Sequence, residues 1–151
     1  MIIIGIDPGK SGGVAILDTE SPGYLKSSKC PENPIKMSSI IAGATNSAYI
    51  EGHKLSVYIE NVWAFPTDAR SSAFKFGTNF GMWLGIIASH GITPKKVSPQ
   101  TWMKGLQPLP KIRKERKLEL KRLASDMFPE HRITLSTADA VMIAIWGAGN
   151  A

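Results

Sequence analysis

Residues 2–17, "IIIGIDPGKSGGVAIL", set the reading of the whole chain. The opening "MIIIGID" (1–7) is short, rich in isoleucine and stopped by Pro8 and Gly9, which marks a buried strand. A glycine turn, "PGKSGG", leads into a second apolar run, "GVAILD" (13–18), so two strands joined as a hairpin are predicted. Asp7 is the oddity, because the end of a buried strand is an unfavourable place for a charge. Two readings stand. Asp7 caps the turn that follows, or the strand is a rigid mount for an acid with a chemical task.

The rest of the chain supplies the setting. A third strand is expected around 24–30, then a helix from near Pro34 to near Gly52, then a strand over 54–62 in "KLSVYIENV". A long helix should cover 69–90, with Phe76, Phe80, Trp83 and Ile87 on one face and Gly77, Gly81 and Gly85 in a second stripe. "KKVS" reads as a short strand and "SPQTWMKGL" as a short helical turn. A basic stretch leads into a helix with Leu120, Leu123, Ala124 and Met127 on one face. The last helix starts near Ser136 and runs through "ADAVMIAIWG", apolar almost all round and therefore buried. With no repeat or linker, the order βββ-α-β-α-β-α-α predicts a single mixed α/β domain over 1–151.

Composition narrows the class. The 151 residues allow one domain with a substantial core, and 43% hydrophobic with 20% charged residues is ordinary for a soluble globular protein. No uncharged apolar run reaches membrane-spanning length, and Asp7 breaks the apolar N-terminus, which argues against a signal peptide. The single cysteine, Cys30, cannot form an internal disulfide, so a reducing, cytoplasmic setting is expected. Of the net charge of +6, nearly all sits in "KIRKERKLELKR" (111–122), where Lys111, Arg113, Lys114, Arg116, Lys117, Lys121 and Arg122 face only Glu115 and Glu119. Such a patch suits a polyanion, since neutralising phosphates releases counterions. The plainer reading is a solvated helix face laced with pairs such as Glu119 with Arg122.

Asp7 has two companions. Glu60 ends an apolar run in "VYIENV", and Asp139 lies in the first turn of the last helix, in "STADAVMIA". Asp139 alone could simply favour the helix N-terminus. Three isolated acids at the ends of three core elements repel one another unless a cation lies among them. Oxygen-only ligation of this kind suits Mg²⁺ or Mn²⁺, ions that also bind phosphate and support phosphodiester cleavage.

With "IGIDPGKSGGVAIL", "YIENV", "VSPQTWMK" and "ADAVMIAIWG", the chain resembles the RuvC-like Holliday junction resolvases, particularly their bacteriophage branch. The resemblance covers nearly the whole chain. It implies an RNase H-like fold, a mixed five-stranded sheet flanked by helices. It also implies a homodimeric, Mg²⁺-dependent endonuclease, with Mn²⁺ able to substitute, that nicks opposing strands of a four-way DNA junction. The setting would be the host cell cytoplasm if the chain is phage-encoded. Asp7, Glu60 and Asp139 would be the metal-binding carboxylates. The family usually adds a fourth carboxylate about one turn before the last; here Leu135 and Ser136 stand there, and only the Ser136 hydroxyl could contribute, by holding a metal-bound water. A natural three-carboxylate variant, a substituted sequence and a junction binder that cuts poorly remain open.

The resemblance also gives roles to other residues. Trp63 and Phe65, just after Glu60, would lie near the junction crossover and stack on bases, or else cap the core. Lys104, Lys114 and Lys117 are candidates to approach the scissile phosphate; Lys114, Lys117 and Lys121 share a face suited to backbone tracking. Arg113, Arg70 and Lys75 are further phosphate candidates, and Trp102 reads as a core anchor. The stripe Gly77, Gly81 and Gly85, with Met82 and Trp83 nearby, suits either a dimer interface or close packing on the chain's own sheet. Two rivals remain. A non-catalytic DNA-binding protein of the same fold is favoured by the missing acid. Actin-like ATPases share the opening hairpin but need a second domain for which 151 residues leave no room.

Overall fold

The computed structural model describes residues 1–151 except 62, 64–66, 68 and 107. Its elements follow the expected order: β1 (Ile2–Asp7), β2 (Gly13–Asp18), β3 (Leu25–Lys29), α1 (Pro34–Glu51), β4 (Leu55–Glu60), α2 (Arg70–Ser89), β5 (Lys95–Val97), α3 (Pro99–Met103), α4 (Arg113–Met127) and α5 (Ala138–Ala148). The strands form one sheet in the order β3-β2-β1-β4-β5. Neighbours β3, β2 and β1 run antiparallel, whereas β1–β4 and β4–β5 are parallel. A five-stranded mixed sheet is therefore observed as expected. No helix among the described residues is long and apolar enough to cross a membrane.

Period-two alternation divides the core. Ile2, Ile4 and Ile6 of β1, with Val57 and Ile59 of β4, pack with Met37, Ile41, Trp83 and Ile87 of α1 and α2. Ile3 and Tyr58 point to the other side, among Val141, Ala144, Leu120 and Ala124 of α5 and α4. Asp7 and Glu60 continue this second series, so both carboxylates leave their strands on the α5 side. Strand periodicity alone decides that.

Helix α5 begins two residues later than expected. Thr134 and Thr137 satisfy each other first: the Thr134 amide donates to Thr137 Oγ1 at 2.9 Å, and the Thr137 amide to Thr134 Oγ1 at 3.3 Å. That leaves Ser136 in the turn ahead of the helix. The helix then lies unusually close to the sheet. A Cβ placed on Gly5 of β1 would overlap the Ala140 carbonyl and come 2.6 Å from the Ala144 nitrogen. Only glycine allows this contact, which draws Asp139 toward the end of β1.

Gly5→Ala should therefore push α5 off β1 and cost about 1–3 kcal/mol, the usual range for overpacking a filled core. Urea denaturation measures this. A stability equal to the parent would show that the backbone contact is not tight.

Candidate active site

Three elements deliver three acids to one cleft. Ile6 of β1 pairs with Ile59 of β4, so the next residue on each parallel strand, Asp7 and Glu60, stand side by side. Asp139 comes from the first turn of α5. Together they line a cleft of about 180 Å³ with Arg113, Arg116 and Lys117 of α4, Trp102 and Met103 of α3, Phe76 of α2, and Ser11 of the glycine turn. Acids and bases from distant parts of the chain thus share one concavity.

The charges in it are only partly matched. Trp102 Nε1 donates to Glu60 Oε1 at 2.9 Å, and Lys117 Nζ lies 3.2 Å from Asp139 Oδ2. Asp139 Oδ1 is buried with no hydrogen-bond partner among the described residues. Burial pushes Asp7 well above the usual carboxylate range, with Glu60 and Asp139 adding repulsion that Lys117 and Arg113 do not cancel. Burial also raises Glu60, with repulsion from Asp139 adding to it, although the Trp102 hydrogen bond works in the opposite direction. An orphaned buried carboxylate oxygen beside two carboxyls raised by burial is hard-oxygen chemistry of the kind a divalent cation takes.

The remaining expected residues distribute around this centre. Arg113, Lys114 and Lys117 line an adjoining hollow with Ser11, Leu135 and Ser136. Ser136 therefore borders that hollow rather than the acid cleft, and Leu135 is exposed. Lys104 follows α3 and lines a separate hollow with Lys111 and Arg116. Lys121 lies further along α4, and Arg70 and Lys75 are exposed on the first turns of α2. Trp63 is 47% exposed. Phe65 lies outside the described residues.

Two expectations on α2 change. Gly77, Gly81 and Gly85 have nothing within 4 Å of where a Cβ would stand, so the stripe does not pack on the chain's own sheet. Trp83 cannot belong to that outer surface. It lies roughly 200° around the helix from Gly81, fully buried, with its indole donating to Cys30 Sγ at 3.2 Å. Met82 is half-buried and packs against the core cluster.

Sequence reasoning took Trp102 as an anchor and missed its bond to Glu60. It also missed Phe76 and Arg116 as lining residues. A second acidic group was not foreseen: Asp18, Glu51 and His53 bring one ligand atom each within 4.8 Å of one another, at the far end of β1 from Asp7. Burial pushes Asp18 up, but the Ser21 hydroxyl, the Glu20 amide and His53 outweigh it and hold the carboxyl below its usual range. That group is internally compensated, unlike Asp7.

No protein-family model matches the chain, and no curated protein matches it. Solved structures do. The RuvC structure from Thermus thermophilus aligns with a TM-score of 0.60 at 23% identity, covering 98% of this chain and 93% of that one. RuvC from T. thermophilus in complex with a Holliday junction substrate aligns with a TM-score of 0.58 at 18% identity, covering 98% and 92%. At these identities the likeness establishes the fold, which is that of RuvC and RNase H-like.

Asp7 makes the site's electrostatics measurable. Because the folded state holds the Asp7 proton more tightly than the unfolded chain, stability falls as pH rises from the ordinary carboxylate value through the raised one. Asp7→Asn should thus raise the melting temperature at neutral pH in EDTA, by roughly 2–4 °C per kcal/mol of repulsion relieved. Mn²⁺ should stabilise the parent and not the variant. Thermal melts check both, and a variant that melts lower in EDTA would contradict the crowding.

Proposed function

We propose that this chain is a divalent-metal-dependent, structure-specific endonuclease that resolves four-way and other branched DNA by paired phosphodiester nicking. One observation carries the reading: Asp7, Glu60 and Asp139 converge in a cleft walled by Arg113, Arg116 and Lys117, and one buried Asp139 oxygen lacks a partner among the described residues. Acids to hold a cation and bases to hold a phosphate are what phosphodiester hydrolysis needs in one place. The likeness to RuvC bound to a Holliday junction substrate supports branched DNA as the polyanion.

The residues divide the work. Asp7, Glu60 and Asp139 hold Mg²⁺, or Mn²⁺ in its place, which when bound supplies the positive charge that activates water and stabilises the departing oxygen. The Trp102 indole fixes the Glu60 carboxylate by its hydrogen bond. Lys117, 3.2 Å from Asp139, offsets charge in the cluster and presents its remaining N–H groups to a phosphate oxygen. Arg113 and Arg116 take adjacent phosphate oxygens from the same helix. Lys114 and Lys121 follow the backbone beyond, with Lys104, Arg70 and Lys75 at the periphery. Trp63 offers an exposed ring for a base unstacked at the crossover.

Paired nicking requires two such clefts related by a two-fold axis, hence a homodimer. The open stripe Gly77, Gly81 and Gly85, beside Phe74 at 76% exposure, is the surface on α2 that supports one. A second reading keeps the same partner without the chemistry: a junction-binding protein that does not cut. Leu135 and Ser136 favour it, since neither supplies a fourth carboxylate.

A four-way junction labelled on each strand, incubated in Mg²⁺, Mn²⁺ or EDTA beside linear duplex, separates these. Symmetric nicks that need metal and vanish with Asp7→Asn are expected. Tight junction binding without cleavage in either metal would establish the binder, and equal affinity for linear duplex would sink both.

A further inference from the structure

One buried polar side chain stands outside the cleft yet is bonded to its backbone. Asn79, on the inner face of α2, is 8% exposed, and its Oδ1 accepts the Gly9 amide at 2.8 Å across 70 residues of sequence. Gly9 is two residues beyond Asp7, at φ +110°, in the turn that carries the chain from β1 into β2. Without Asn79 that buried amide would lose this side-chain acceptor. The same helix grips the turn a second time, since a Cβ on Gly9 would come 2.8 Å from the Phe76 ring. One turn further along α2, Trp83 bonds Cys30 Sγ, and Cys30 donates its amide to the Gly12 carbonyl at the other end of the turn.

A core position needing only bulk would take an apolar residue at less cost, as Trp83 and Ile87 do on the same face. Its Oδ1 accepts the Gly9 amide and, more weakly, the Cys30 thiol at 3.7 Å, and the Gly9 amide lies in the segment that fixes where Asp7 ends its strand. We infer that Asn79 is a positioning residue for the metal centre, holding the turn after Asp7 so that the carboxylate keeps its place opposite Glu60 and Asp139. The inference rests on the metal-dependent reading above and adds a residue that lies outside the acid cleft's lining. It makes α2 a structural support of the centre, although none of the three acids belongs to it.

The test is Mn²⁺ binding to the full chain without DNA, by isothermal titration calorimetry, with a thermal melt of every variant. Asn79→Leu keeps the bulk and removes the acceptor, and should weaken Mn²⁺ binding about tenfold or more, as loss of an outer hydrogen-bond partner does at metal sites. Asn79→Ser, too short to reach Gly9, should show the same loss if leucine is not accommodated. Asn79→Asp keeps an oxygen there and should bind close to the parent. Ile87→Val, further along the same buried face of α2, has no bond to the turn and should lower the melting temperature while leaving Mn²⁺ affinity unchanged. Parent-like affinity in Asn79→Leu, or an equal loss in Ile87→Val, overturns the positioning role while the metal reading stands. A parent protein that takes up no Mn²⁺ overturns the metal reading and this inference with it.

Discussion

The close docking of α5 on β1 is the contact on which the rest of this molecule depends. Gly5 has no side chain, so the backbone around Ala140 and Ala144 can rest directly on the strand. The same approach recurs at both ends of the contact. A Cβ on Gly13 would overlap the Ser136 carbonyl, and one on Gly147 would meet the Tyr58 ring at 2.5 Å. Three missing side chains on two strands and the helix fix one helix at one height. Asp139 is thereby brought to the ends of β1 and β4, where no ordinary core would gather three carboxylates.

That gathering has an electrostatic cost, and the neighbouring elements are arranged around it. Helix α4 crosses beside α5 and puts Lys117 against Asp139, with Arg113 and Arg116 on the same cleft. Its basic character is not uniform in purpose. Further along, Arg122 is bonded to Glu119 at 2.7 Å and to Asp126 at 2.6 Å, which is the solvated, self-paired face of an ordinary surface helix. The self-paired reading of the basic stretch holds for this half of the helix, while the half beside the cleft carries Arg113, Arg116 and Lys117. Helix α3, only five residues long, serves through Trp102, a buried ring whose single polar atom is used on Glu60.

What could be read from the sequence follows from how local each signal is. Strand ends and helix faces are set by periodicity, so the sheet, the order of elements and the three acids were legible in "IIIGID", "VYIEN" and "ADAVMIAIW". The fate of the glycine stripe was not, because close approach and open space demand the same residues. Trp102 shows the limit in another way: burial was readable from its setting, but its bond to Glu60 joins residues 42 apart in sequence. Asn79 was less visible still. A lone asparagine between Thr78 and Phe80 in a helix has no pattern, and its partner is a backbone amide that periodicity does not register.

The absent fourth carboxylate gains a physical meaning from where position 136 falls. Ser136 lies in the turn held by Thr134 and Thr137, and it borders the hollow shared by Ser11, Arg113, Lys114 and Lys117. A carboxylate in that hollow would face two lysines and an arginine and draw them into ion pairs. Serine brings no charge to that hollow, where Lys117 already pairs with Asp139. Position 136 therefore bears on the charge of the basic hollow and not on the lining of the acid cleft, which Asp7, Glu60 and Asp139 share without it.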